Sequence, residues 1–238
     1  MWIHEHTEDN KVRFVLGEVN EKTKKPLICF GINPSTAVPK GTVYKVKIEE
    51  LGFKWNEISE KLVKNGLAIR INNSEIRLIE NFRAHKAKII EIFGGKFPKF
   101  WDGLDKTLSR VRNESIKRDY DGWIMLNIYP QREINPQDID QKIDLKIHNS
   151  NKKHIRDVFA KYSNSTVWVA WGGNIEERQF LKDCFKEIVA DIPKSVKWKR
   201  MGKKVGKKEH PHHPLYLKRD LPFEKFYINY YLKKFLDS

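Results

Sequence analysis

Leu27-Ile28-Cys29-Phe30-Gly31-Ile32-Asn33-Pro34 is the stretch on which the fold turns. Its apolar and small residues run without a helical period and stop at Asn-Pro, a pair that turns the chain. So short a continuous apolar run, closed by a turn, reads as a strand buried on both faces. Two other segments share this form. Trp123-Ile124-Met125-Leu126-Asn127 leads into Tyr129-Pro130, and residues 166–171 (Thr-Val-Trp-Val-Ala-Trp) are broken by Gly172-Gly173. Residues 12–19 suggest an earlier strand and 196–200 a later one.

Amphipathic segments lie between these runs. Residues 105–118, 150–162 and 175–190 read as helices, with Ile155, Val158, Phe159 and Tyr162 on one face of the second. Residues 221–235 predict a closing helix. Residues 74–93 predict another, with Ile76, Ile79, Phe82, Ile89, Ile90 and Phe93 at helical spacing before Gly94-Gly95. Short apolar strands alternating with helices predict an α/β three-layer sandwich around a central, mostly parallel sheet. In such sheets ligands bind beyond the carboxyl ends of the strands.

Four segments qualify: Gly31 through Thr36, Leu126 through Arg132, Ala170 through Asn174, and His210-Pro211-His212-His213-Pro214-Leu215-Tyr216-Leu217-Lys218. Singly, each has a structural explanation. Asn33-Pro34 is an ordinary turn pair, Asn127 can cap a strand end, and Gly172-Gly173 can turn into a helix. The histidines lack the i, i+4 spacing and cysteine companions of a metal pair, so neither metal nor cofactor is expected.

Charge narrows the partner class. Lysine and arginine number 46 against 31 acidic residues, a net charge of +15 and a pI near 9.6. Such a field attracts polyanions, although a lysine-rich surface alone would also produce it. Residues 194–208 carry eight basic residues and no acidic one: Lys194, Lys197, Lys199, Arg200, Lys203, Lys204, Lys207 and Lys208. Trp198, Gly202 and Gly206 interrupt them, a composition suited to a loop that tracks a phosphate backbone. The run lacks the apolar stripe of a membrane-surface helix, and the longest apolar runs are too short to span a bilayer. The hydrophobic fraction of 39% supports a packed core. Cys29 and Cys184 are too few for a cluster, and Met1 through His6 lacks the basic start and apolar stretch of a secretion signal. A reducing, cytoplasmic location and a monomer without membrane partners are the expectation. No phosphate-binding G-x-x-x-x-G-K-[ST] and no G-x-S-x-G occurs, which disfavours a P-loop enzyme and a serine hydrolase.

Taken together and in order, the rim segments resemble the uracil-DNA glycosylase-like superfamily. Gly31-Ile32-Asn33-Pro34 is similar to the first motif of its mismatch-specific and thymine-excising branch. Gly122-Trp123-Ile124-Met125-Leu126-Asn127 is similar to the central strand ending in the base-reading asparagine. Val167-Trp168-Val169-Ala170-Trp171-Gly172 resembles the strand and glycine before a packing helix, and His213-Pro214-Leu215-Tyr216 the histidine-proline loop. Asn33-Pro34-Ser35-Thr36-Ala37, Tyr129-Pro130-Gln131-Arg132 and His213 through Lys218 most resemble an uncharacterised domain family, read as distant kin of that superfamily. The resemblance covers about two-thirds of the chain, in segments. That family follows its first motif closely with an aspartate-x-threonine-x-x-arginine helix. Here the nearest match, Asp105-Lys106-Thr107-Leu108-Ser109-Arg110, lies far downstream. The difference implies a helical insertion over residues 38–103 within a single glycosylase-like domain of residues 1–238. Its aromatics, Trp55, Phe82, Phe93, Phe97, Phe100 and Trp101, and its basic Lys45, Lys47, Arg83, Lys86 and Lys88 suit either a self-contained subdomain or a cap over a base pocket.

The resemblance implies a monofunctional DNA N-glycosylase acting on double- or single-stranded DNA. Asn33 orients water, and His213, with His212 second to it, stabilises the departing base. Asn127 reads the flipped-out base, Tyr129 stacks on it, and Ile32 and Ser35 complete its pocket. Leu215 or Tyr216 fills the gap in the duplex, while Lys199, Arg200, Lys203, Lys204, Lys207, Lys208 and His212 meet phosphates. The first motif lacks the aspartate of the most active uracil-excising branch. Together with the insertion, this points to a modified base, such as a bulky cytosine derivative of phage DNA, and to an antiviral role. A non-catalytic nucleic-acid-binding module and a nucleoside or nucleotide hydrolase are the competing readings.

Overall fold

The structure, a computed structural model, describes residues 2–8, 11–34, 45–47, 55–72, 75–78, 85–92, 105–133, 136–218 and 220–236. In chain order the strands are β1 (Trp2–His6), β2 (Arg13–Glu18), β3 (Leu27–Gly31), β4 (Lys45–Lys47), β5 (Ala68–Asn72), β6 (Glu75–Leu78), β7 (Trp123–Asn127), β8 (Thr166–Val169), β9 (Lys197–Met201) and β10 (Phe223–Lys225). The helices are α1 (Trp55–Lys64), α2 (Lys86–Ile92), α3 (Lys106–Lys117), α4 (Leu145–Lys161), α5 (Gln179–Asp191) and α6 (Ile228–Leu236). The chain divides into two compact units, one of Met1–Thr36 with Asp105–Ser238, the other Ala37–Leu104.

The larger unit is built on a seven-stranded mixed sheet in the order β1-β2-β7-β3-β8-β9-β10. The inner strands β7, β3, β8 and β9 run parallel, and both edges are antiparallel. Every residue of β3 and β7 is buried, as continuous apolar strands between two layers must be. One face joins Ile28, Phe30, Leu126 and Val167 to Phe159 of α4, to Phe185 and Ile188 of α5 and to Tyr231 of α6. Alternation turns Trp123, Met125 and Asn127 to the other face. There α3, with Leu108 and Val111 buried, packs on β7. Asp105 starts α3 by accepting Leu108 N–H at 2.8 Å, and Asp144 caps α4 in the same way. None of the described helices is long and apolar enough to cross a membrane.

Three expectations change. Residues 221–235 are not one helix: Phe226 N–H donates to Trp198 O at 2.9 Å, so β10 first adds an edge strand to β9 and α6 follows. Residues 74–93 begin with β6, whose Glu75-Ile76-Arg77 pairs antiparallel with β4 and whose other edge meets β5. The smaller unit therefore holds a three-stranded antiparallel sheet, β4-β6-β5, beside α1 and α2, and is not simply helical. Within the basic run, the strand read at residues 196–200 is β9, and the turn follows it.

Phe185 lies in the middle of the main core, fully buried, its ring centroid 4.5 Å from that of Trp171. Phe185→Ala is expected to lower the unfolding free energy by about 3–5 kcal/mol, seen as a lower urea midpoint at unchanged slope.

Candidate functional site

The pairing of β3 with β7 ends at Gly31 opposite Asn127, yet backbone bonds continue past it. Ile128 N–H donates to Gly31 O (3.0 Å), Tyr129 N–H to Ile32 O (2.8 Å) and Glu133 N–H to Pro34 O (3.1 Å). On the other flank Ala170 N–H donates to Phe30 O at 2.9 Å. The carboxyl ends of β7, β3 and β8 thus form one rim. From α4, the buried Asn151 amide donates to the carbonyls of Asn127 (2.9 Å) and Ile128 (3.2 Å), pinning the central strand's end.

The Asn127 side chain is 1% exposed, and neither Nδ2 nor Oδ1 has a hydrogen-bond partner among the described residues. A buried amide left in this state costs about 1–3 kcal/mol. The amide lies beside Gly31. A Cβ there would stand 3.1 Å from Asn127 Oδ1 and 2.6 Å from Met125 Cε, so a side chain would crowd both.

Asn33 is held differently. Its amide donates to Glu133 O at 2.9 Å and, more weakly, to Pro34 O at 3.3 Å. Both amide protons are used, which fixes the orientation of the group and leaves Oδ1 as an acceptor.

His213 reaches the rim through Gly172, the residue that turns the chain after β8. Gly172 has φ +70°, N–H donating to Pro211 O at 3.0 Å, and space in which a Cβ would meet His213 Cβ at 3.5 Å. His213 caps the short 3-10 turn Pro214–Tyr216, its Nδ1 accepting Leu215 N–H at 3.3 Å. An acceptor Nδ1 places the proton on Nε2, so the neutral ring is a donor at its outer edge. Burial pushes its pKa below the ordinary value, against an opposing pull from Asp105, with His212 adding to the depression. Helix α3 braces the segment that follows: Arg110 donates to Lys218 O at 2.8 Å and Arg118 to Leu221 O at 2.6 Å. Leu215 and Tyr216 stand out from the surface, 45% and 72% exposed. His212 is half-buried beside Tyr216, with ring centroids 6.3 Å apart.

Asn33, Asn127 and His213 therefore all belong to this rim, while other proposed residues do not reach it. Tyr129 is fully buried in the α4–α5 core against Phe180, and its hydroxyl accepts Asp144 N–H at 3.0 Å, so it cannot stack on a base. The Ile32 side chain belongs to that same core. Ser35 lies outside the described residues, as do Phe82, Arg83, Phe93, Phe97, Phe100 and Trp101, together with the side chains of Lys45, Lys47, Trp55 and Lys86. Lys88 pairs with Glu91 on α2 at 3.0 Å. In the basic run, Lys199 lies along β9 and Arg200 is paired with Glu224. Lys204 reaches Glu209 and Lys208 reaches Glu176, each at 3.4 Å, whereas Lys203 and Lys207 project into solvent. Asp105, Asn151 and Gly31 are the positioning residues that sequence reasoning missed. Asp105 and Gly31 carried a signal as parts of the quoted motifs, whereas Asn151 carried none. No group of three or more His, Cys, Asp or Glu suited to a metal occurs among the described residues.

Two outcomes follow from this geometry. In an NMR titration the His213 ring should titrate below 6.5, and Asp105→Asn should move its midpoint lower still. Because the folded pKa is the depressed one, the stability contribution of His213 is intact above 6.5 and is lost as pH falls below it. Asn127→Leu, which replaces an unpartnered amide by an apolar group of similar size, should raise the unfolding free energy by about 1–2 kcal/mol in urea denaturation.

Residues 101–215, just under half of the chain, are similar to a family described as a protein of unknown function (DUF1643). That span contains Asp105, Asn127, Asn151, Gly172 and His213, and leaves out Asn33. No curated protein and no solved structure matches the chain.

Proposed function

We propose that the protein is a DNA glycosylase of uracil-DNA glycosylase-like architecture, hydrolysing the bond between a flipped-out base and its sugar. The observation that carries this reading is the buried amide of Asn127 at the end of the central strand, unpartnered among the described residues. A group that offers both donor and acceptor without using either suits the hydrogen-bonding edge of a nucleobase. An incoming base would supply the partners that the described residues do not.

The reaction passes through an oxocarbenium-like sugar. The water oxygen bonds to C1′ as the C1′–N bond breaks, the bonding pair leaves with the base, and the water proton passes to solvent or base. Asn33 Oδ1 is a fixed acceptor that orients this water, contributing by position and not by basicity. The Nε2–H of neutral His213 donates to the charge that grows on the departing base, as an oxyanion-hole donor does. Leu215 and Tyr216 enter the gap that the base leaves, and Lys203 and Lys207 meet phosphates. A bulky modified cytosine is the favoured substrate, motivated by the Ala37–Leu104 unit and the absence of a carboxylate in the first motif. An antiviral role for a cytoplasmic monomer belongs to the same reading.

The test is an abasic-site assay: DNAs containing uracil or modified cytosines are incubated with protein, then treated with alkali and scored for nicks. Wild-type protein should nick at the modified base, and Asn33→Ala, Asn127→Leu and His213→Ala should each lose at least about 10²-fold in rate while DNA affinity holds. Salt-sensitive DNA binding without nicking on any substrate would leave a binding module in place of an enzyme.

A further inference from the structure

A second site is lined by none of Asn33, Asn127 and His213. Between β9, β10, the start of α6 and the turn at residues 205–210 is a cavity of about 130 Å³. Arg200, Lys204, Lys208, Lys225 and Lys234 line it, with Glu209 as the only carboxylate among the lining residues. Lys204 and Lys234 share that one carboxylate, at 3.4 and 2.7 Å, while Arg200 pairs with Glu224 and Lys208 with Glu176, so five cations meet three carboxylates and the cavity keeps a positive excess. Its mouth is aromatic. Tyr227 and Tyr230 are 62% and 61% exposed, and Lys225 Nζ stands 4.8 Å from the Tyr227 ring centre.

The walls are preformed. The turn closes on itself through Val205 N–H to His210 O (2.8 Å) and His210 N–H to Val205 O (2.9 Å), with Glu209 in a left-handed conformation at φ +58°. Behind it His210 is buried, its Nδ1 2.7 Å from the Tyr231 hydroxyl and its Nε2 2.5 Å from Glu176. Trp171 Nε1–H donates to the same hydroxyl at 3.1 Å. Lysines on a fixed turn, facing exposed rings, match a ligand that joins a phosphate to a flat ring system.

We propose that this cavity binds a nucleoside phosphate, the phosphate replacing part of the Glu209 pairing on Lys204 and Lys234 while the base stacks on Tyr230. The same chemistry is offered by a free mononucleotide and by one unit of a single strand. The site goes beyond base excision and requires no bond cleavage.

The experiment measures binding of deoxyadenosine 5′-monophosphate and inorganic phosphate by calorimetry, and of a short labelled single-stranded oligonucleotide by anisotropy. Wild-type protein should bind nucleotide more tightly than phosphate. Tyr230→Ala should weaken it about tenfold, and Lys225→Ala should weaken it too. Lys153→Ala, an exposed change on α4, should leave binding intact. Binding of both nucleotide and oligonucleotide assigns a free ligand, and binding of the oligonucleotide alone assigns a strand unit. Either supports the site. Equal losses in Lys153→Ala and Lys225→Ala, no effect of Tyr230→Ala, or no wild-type binding overturns it. Asn127→Leu keeps this binding, so failure here and failure of base excision are read separately.

Discussion

Parallel strands normally part company at their carboxyl ends. Here the backbone bonds from Ile128 to Gly31 and from Tyr129 to Ile32 keep β3 and β7 zipped past the last strand residue. Asn151 adds a clamp from α4 on the carbonyls of residues 127 and 128. An amide free to move would turn to find partners, because leaving them unmade is unfavourable. Asn127 stays without a partner among the described residues because the backbone around it is held from three sides, by β3, by the zipped turn and by α4. Gly31 completes the arrangement, since any side chain there would crowd the amide.

His213 reaches the rim by a different route. It comes from a segment far along the chain and is seated by contacts of separate origin: Gly172 below it, and α3 beside it through Asp105, Arg110 and Arg118. The likeness to the family of unknown function runs from α3 to this segment. It spans all of these parts, which cohere as one device: a helix whose cap sits by the imidazole and whose arginines hold the chain beyond it.

The inner strands were legible because burial on both faces forces continuous apolar runs, as in Leu27–Gly31 and Trp123–Asn127. The edges were not. Trp2–His6 mixes histidines with apolar residues, and Phe223–Lys225 is only three residues long, too short for a period to appear. In residues 74–93, Ile76 and Leu78 alternate as a strand does, yet a long window absorbs them into a helical period. At the rim, Asn33, Asn127 and His213 were singled out by position, at the ends of apolar strands or in the motif order. Tyr129 was misplaced because it shares parity with Asn127. The strand ends at Asn127, and the bend at Ile128 and Tyr129 turns the ring into the opposite core. Asn151 acts through space on carbonyls more than twenty residues away, which no local pattern encodes.

Two buried polar centres in the larger unit show how differently such groups are treated. Around His210 one consistent set of protons satisfies every group: Trp171 donates to the Tyr231 hydroxyl, the hydroxyl donates to Nδ1, and Nε2–H donates to Glu176. A complete chain of this kind rigidifies the structure and asks nothing of a ligand. Asn127 is the opposite case, the one described side chain with two separate polar atoms buried and unmatched. The same fold that closes every bond behind the basic turn leaves open the pair at the end of its central strand. Packing does not force that choice, since an apolar residue of similar size would fit the strand's own pattern. Among the described residues, then, no need of the folded chain accounts for the unmatched amide.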